Sequence, residues 1–221
     1  AIIADPHEIV NVLGLDGLNI FIERSRNLPV DIFFMMPSCI PATTMETAAV
    51  QIKAEDMKPW LNNKNILGLG EMMNFPGIIN RDESTLKKID LYQHKLIDGH
   101  APLLTGKNLS AYVAAGISSD HESSSFAEAE EKLEKGMFTL IREGSAAKNL
   151  SALLPLVNEH NSRFFGFCTD DRHPDFLMDK GHIDHIIKKS IALGLDPVTA
   201  LQLSSLNTSC HYGLKKRGAI G

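Results

Sequence analysis

Ile66-Leu67-Gly68-Leu69-Gly70-Glu71 is an apolar run that stops abruptly on a carboxylate, and the chain repeats this punctuation from end to end. Before it come Ile2-Ile3-Ala4, stopped by Asp5, and Val30-Asp31-Ile32-Phe33-Phe34-Met35-Met36, stopped by Pro37. After it come Leu96-Ile97-Asp98-Gly99 with His100, Ile117-Ser118-Ser119-Asp120 with His121 and Glu122, and Met137-Phe138-Thr139-Leu140-Ile141-Arg142-Glu143. The last is Arg163-Phe164-Phe165-Gly166-Phe167-Cys168-Thr169, which runs into Asp170 and Asp171. A helical pattern follows each run, and units of roughly 20 to 35 residues fit a (β/α)8 TIM-type barrel better than an open sheet.

The spacing of apolar residues and of capping signals predicts helices over 18–26, 83–95, 107–115, 126–135, 150–160, 182–193 and 197–212. A further helix is expected from a cap at Thr43 or Thr44, with Glu46 in its first turn, to about residue 54. Seven strands are one short of a barrel. Because the first strand is cut at residue 1, the missing one is expected upstream, and Arg217-Gly218-Ala219-Ile220-Gly221 reads as the start of another segment. No linker or internal repeat divides the chain, so residues 1–221 are read as a single barrel fragment, strands two to eight of a longer polypeptide.

A hydrophobic fraction of 43% over 221 residues is ample for a core, and no apolar run is long enough to suggest a membrane span. The net charge of −5 and the absence of a Lys/Arg cluster argue against a nucleic-acid surface, though not against a nucleobase-sized substrate. Cys39, Cys168 and Cys210 are scattered and contain no CxxC pair, so neither a disulfide framework nor a thiolate zinc site is indicated. A reducing cytoplasm is the expectation, and no signal peptide is visible at Ala1.

Parallel barrels gather the C-terminal ends of their strands on one face, so Glu71, His100, His121 and Asp170 are candidates to share one metal. Glu71 and His121 have a plainer reading as solvated residues, the strand-to-loop position of His100 favours function over packing, and the joint pattern is far more specific than any member. Imidazole and carboxylate donors suit one or two ions of manganese, iron or zinc. Asp120 and Glu122 flank His121 as acceptors able to fix its tautomer. Adjacent carboxylates at Asp170 and Asp171 need a cation or donors, and Asp171 is offered a capping role through Arg172.

The stretches Ile3-Ala4-Asp5-Pro6-His7-Glu8, Gly70-Glu71-Met72-Met73-Asn74, Asp98-Gly99-His100-Ala101-Pro102, Ser119-Asp120-His121-Glu122 and Cys168-Thr169-Asp170-Asp171-Arg172-His173-Pro174 resemble the amidohydrolase superfamily and, within it, the bacterial-type adenine deaminases. The resemblance covers nearly the whole chain. It implies metal-dependent hydrolysis of adenine to hypoxanthine and ammonia in purine salvage, by a protein that is a homo-oligomer at full length and needs neither nucleic acid nor membrane. It also implies that Glu71 is the bridging carboxylate, that His100 and His121 are metal ligands, and that Asp170 is both ligand and proton shuttle. The family's first-strand His-x-His pair is absent and would lie before residue 1; its flanking β-sandwich segments are absent too. Two other outcomes are compatible with these residues: an amidohydrolase for another cyclic amide or aminated heterocycle, and a catalytically incompetent scaffold.

Glu122 is a plausible acid for a purine ring nitrogen, or else it only orients His121. Asp5, His7 and Glu8 share the strand-end position and could belong to the active site or serve as strand-end hydrogen-bonding groups. His182 and His185, three apart on one helix, are read as an outer capped helix in preference to a ligand pair. His94, His160 and His211 fall on predicted helices as structural or solvated residues.

Overall fold

The computed structural model describes residues 1–43 and 45–219. These fall into two compact units, Ala1–Ala101 with Lys107–Ser118, and Pro102–Gly106 with Ser119–Gly221.

In the first unit the chain runs β1 (Ile2–Ala4), α1 (His7–Leu13), α2 (Leu15–Ser25), β2 (Ile32–Met36), α3 (Ala54–Met57), β3 (Ile66–Met72), α4 (Phe75–Ile79), α5 (Glu83–Tyr92), β4 (Leu96–Gly99) and α6 (Gly106–Ala114). All strand pairs are parallel, in the order β1-β2-β3-β4, with Ile2 beside Ile32, Phe34 beside Ile66 and Leu69 beside Ile97. Parallel neighbours need crossovers, which explains why each strand is followed by helix and why Phe34, Met35, Met36 and Leu69 are all buried. Asp82 caps α5 by accepting from the Thr85 N–H at 2.7 Å, and Asn74 caps α4 by accepting from the Gly77 N–H at 3.0 Å.

The second unit contains β5 (Ser119–Asp120), α7 (Phe126–Glu134), β6 (Phe138–Arg142), α8 (Leu150–Leu153), β7 (Phe165–Cys168), α9 (Pro174–Lys180), α10 (Ile183–Ala192), α11 (Pro197–Ser204) and α12 (Leu206–His211). Its sheet is again parallel and sequential, β5-β6-β7. Ile141, Phe165 and Phe167 pack with Leu150, Leu153, Ile186, Ala200 and Leu203 in one core. In neither sheet does strand order reverse, the reversal that marks a doubly wound fold.

Every predicted strand is present, while several helices differ from expectation. The helix expected over about 43–54 is not formed: helix begins only at Ala54, and Thr44, one proposed cap, lies outside the described residues. Tertiary pairing takes its backbone instead, with the Ile52 N–H donating to the Ile40 carbonyl at 3.0 Å and the Ala49 N–H to the Asn11 carbonyl at 3.2 Å. The expected 150–160 helix ends at Leu153, because Pro155 turns the next residues into a 3-10 turn. The expected 197–212 helix breaks at Ser205, whose φ of −139° is not helical. Helix also starts at His7, well before 18, and Gly14 at φ 63° separates α1 from α2. The short helix α9 went unforeseen although Pro174 and Asp175 are first-turn residues. Of the closing segment read as a new start, Ile220 and Gly221 lie outside the described residues. Among the described residues no helix is long and apolar enough to cross a membrane.

One buried ionic cluster sets the local geometry of the second unit. Lys132 of α7 is fully enclosed, with Nζ donating at 2.9 Å to both Asp120 Oδ2 and Glu128 Oε1. Removing the cation strands two buried carboxylates, so Lys132→Met should destabilise by about 3–5 kcal/mol in urea titration; a loss well below 1 kcal/mol would mean the cluster behaves as a surface pair.

His211 of α12 stacks on the Phe138 ring at 4.2 Å between centroids, and burial pulls its pKa down to about 4. The folded state thus favours neutral imidazole. Its contribution is complete above the ordinary histidine pKa of 6.5 and is lost as pH falls from there towards 4. His211→Phe should flatten the loss of stability over that window, measured as urea midpoints across the pH series.

Candidate active site

In the first unit the strand tips bring Asp5, His7 and Glu71 together, with His100 on the far side of Glu71. Asp5 follows β1 and its Oδ2 accepts the Glu71 N–H at 2.8 Å. That bond needs a bare backbone at Gly70, since a Cβ there would stand 2.0 Å from the same oxygen. Glu71 is 8% exposed, and its two oxygens face different imidazoles: Oε2 lies 2.7 Å from His100 Nδ1 and Oε1 lies 3.1 Å from His7 Nδ1. Glu8 closes the other side of His7, with Oε1 3.2 Å from Nε2.

Backbone support comes from residues the sequence reading did not select. Tyr112 of α6 donates its hydroxyl to the Met72 carbonyl at 2.7 Å and accepts the His100 N–H at 3.0 Å, tying the β3 tip to the β4 tip. Ser38 Oγ donates to the Glu71 carbonyl at 2.6 Å, and buried Lys88 donates to the Ser38 carbonyl at 2.7 Å. For Tyr112 and Lys88 the recognisable signal was a hydroxylated or charged residue among the buried positions of a helix; Ser38, in the loop after β2, had none.

The donor set suits a divalent cation. Asp5, His7 and Glu71 each offer a ligand atom, all within 4.8 Å of one another. Asp5 Oδ1 and His7 Nδ1 are buried and make no hydrogen bond, although His7 Nδ1 is within ion-pair distance of Glu71. Burial raises the Asp5 pKa. Burial works against a charged His7, but the carboxylates of Asp5, Glu8 and Glu71 beside it outweigh that and raise its pKa to about 11. Positive charge in this pocket is therefore favoured, whether it is carried by a proton or by a metal.

In the second unit His121 and Glu122 follow β5, Arg142 ends β6, and Asp170 follows β7. His121, Glu122 and Asp170 form a second set of three ligand atoms within 4.8 Å. Asp120 points inward, where Oδ2 accepts from Lys132, from the Ser123 hydroxyl at 2.9 Å, and from the Ser123 and Glu122 N–H groups at 3.0 and 3.1 Å. These bonds fix the turn that presents His121. Arg142 was not among the predicted site residues, yet its Nη1 donates to Asp170 Oδ2 at 2.8 Å and to Glu122 Oε1, while Nη2 donates to Glu122 Oε2 at 3.1 Å. The strand-end rule that selected the other tips applies equally to Arg142.

Asp171 accepts the Ser145 N–H on its carbonyl at 2.9 Å, and Arg172 spans the Glu143 and Gly181 carbonyls at 2.7 and 2.8 Å. His182 precedes α10 with Nε2 3.3 Å from the Thr169 hydroxyl, and neither His182 nor His185 joins a metal-capable group among the described residues. His94 and His160 are exposed.

A model of the amidohydrolase family matches residues 1–221. The adenine deaminase of Desulfatibacillum aliphaticivorans is 51% identical over 222 residues, covering 100% of this chain and 39% of that protein. Adenine deaminases of Kosmotoga olearia and Clostridium acetobutylicum are 49% and 48% identical, each covering 99% of this chain and 38% and 39% of their own lengths. The chain thus spans about two fifths of the curated relatives it matches.

If Glu71 is a ligand, manganese or zinc at a hundredfold excess over Kd should stabilise the protein by about 2.7 kcal/mol, read as a shift in the denaturation midpoint. Glu71→Gln should lose most of that shift, and an undiminished shift in the variant would remove Glu71 from the ligand set.

Proposed function

This chain belongs to the amidohydrolase family, and on that footing we propose that it supplies the catalytic barrel of an adenine deaminase, hydrolysing adenine to hypoxanthine and ammonia in purine salvage. In this reading residues 1–221 are strands two to eight of a (β/α)8 barrel, and strand one and the flanking β-sandwich segments belong to the rest of a cytoplasmic homo-oligomer. The parallel, sequential strands of both sheets support a barrel wall. The names borne by relatives about half identical over the whole chain support the substrate. A small neutral nucleobase, unlike a nucleic acid or an anionic membrane, also suits a chain of net charge −5.

The observation that carries the proposal is the pairing of a buried carboxylate, Glu71, with His100 at a strand tip, matched in the other unit by His121 and Asp170 at theirs. Glu71, His100, His121 and Asp170 are the proposed ligands for one or two manganese, iron or zinc ions, and Asp5, His7, Glu8 and Asp171 are further active-site candidates. A bound divalent cation supplies the Lewis acidity that makes water nucleophilic near neutral pH. Asp170 takes the proton of the water attacking C6 and returns it to the departing amine, first a base and then an acid. Attack places negative charge on the ring, which a proton or strong donor at N1 neutralises, a task open to Glu122 or to a residue outside 1–221.

The whole protein, loaded with metal, should release ammonia from adenine but not from guanine-like or dihydroorotate-like compounds. Asp170→Asn should lower kcat by about 10²–10⁴-fold in an ammonia-release assay. Full turnover by that variant would remove the proton shuttle, and preference for a cyclic amide would reassign the substrate.

A further inference from the structure

Arg142 joins three consecutive strand tips of the second unit. Its side chain, 8% exposed, leaves the end of β6 and reaches Glu122 beyond β5 and Asp170 beyond β7 through the contacts given above. Its own N–H donates to Asn149 Oδ1 at 2.6 Å, and Asn149 Nδ2 donates to the carbonyls of Ser123 at 2.9 Å and His121 at 3.3 Å. The backbone of the residue and its guanidinium are therefore held independently. Nε is buried and makes no hydrogen bond, so the group is fixed by its two Nη ends.

The two carboxylates on Arg142 stand in different relations to it. Glu122 accepts on both oxygens, the planar geometry in which a guanidinium and a carboxylate lock each other. A carboxylate used in this way is an acceptor, poorly placed to give a proton to a substrate. Asp170 accepts on Oδ2 alone and keeps Oδ1 for other work. Its backbone lies at φ 52°, a region that a non-glycine residue occupies at some cost and that asparagine and aspartate tolerate best. The bond from Arg142 fixes the attitude of this side chain from outside its own loop.

We propose that Arg142 is a positioning residue for the reaction: it sets the attitude of the Asp170 carboxylate for proton transfer, and Glu122 serves as the anchor of its guanidinium and not as a donor to the substrate. This rests on the deaminase reading for its kinetic consequence but not for its structural content. The donor to the ring nitrogen then comes from elsewhere in the protein. Lysine cannot replace arginine here, because a point charge on a flexible stem does not span two carboxylates in a fixed plane.

The test uses the whole, metal-loaded protein. Arg142→Lys should lower kcat about 10²-fold, the scale of a misplacement near 1 Å, with KM for adenine, metal stoichiometry and circular dichroism unchanged. Added guanidinium ion should restore part of the rate to Arg142→Ala. Glu122→Gln should be the milder single change, and Arg142→Lys combined with Glu122→Gln should be no slower than Arg142→Lys alone. Multiplicative losses in the double variant would give Glu122 a separate role and overturn the assignment, as would an undiminished kcat in Arg142→Lys. A second measurement needs no substrate: the Arg142 Nη resonances should be separate and slowly exchanging in the wild type and should collapse in Glu122→Gln. Collapsed signals in the wild type would overturn the inference whatever the enzyme acts on. Locked signals with no ammonia from adenine would instead sink the deaminase reading and leave the positioning role standing.

Discussion

Charge taken out of water at the end of a strand has to be met by a partner, and most of the local architecture in both units answers to that requirement. Parallel strands joined by helices leave their C-terminal ends exposed to one side, and here those ends carry carboxylates and imidazoles instead of turn residues. Asp120 and Glu128 are met completely, by Lys132, serine hydroxyls and backbone N–H groups. Asp5 is hydrogen-bonded on one oxygen only, and the other is buried 3.8 Å from His7 Nδ1. The distinction separates carboxylates that hold the fold from those that leave room for a cation.

Strands and their tips were legible from sequence because both depend on local pattern: runs such as 66–70 are too short and too apolar for a surface helix, and the polar residue that stops each run is its own marker. The helices were less legible where tertiary pairing competed with propensity. In segment 45–53 the N–H groups of Ala49 and Ile52 bond to the carbonyls of Asn11 and Ile40, and no periodicity within the segment reveals those partners. Pro155 did announce the end of α8, and the apolar pattern beyond it hid the break.

The four metal candidates were legible for the same local reason, whereas the residues that aim them were not. Tyr112 reaches Met72 and His100 from a helix, and Lys88 reaches Ser38 from another, across separations that no motif records. Gly70 is an intermediate case. A glycine before Glu71 reads as strand flexibility, but its purpose is the close approach of Asp5, a constraint visible only when both residues are in place.

The two buried cations of the second unit show how residue type follows from task. Lys132 sits where Asp120 and Glu128 converge on one point, and a compact ammonium satisfies an oxygen of each at 2.9 Å while its stem packs in the core. Arg142 sits where Glu122 and Asp170 present from different loops, and a planar group with several donors can engage both while staying rigid. Exchanging them would fail in both directions: position 132 is fully enclosed, so the larger guanidinium would have to displace its neighbours, and lysine has no plane to impose on Asp170. The first cation holds the carboxylate around which the turn before α7 is built, and the second decides where a side chain outside its own strand must point.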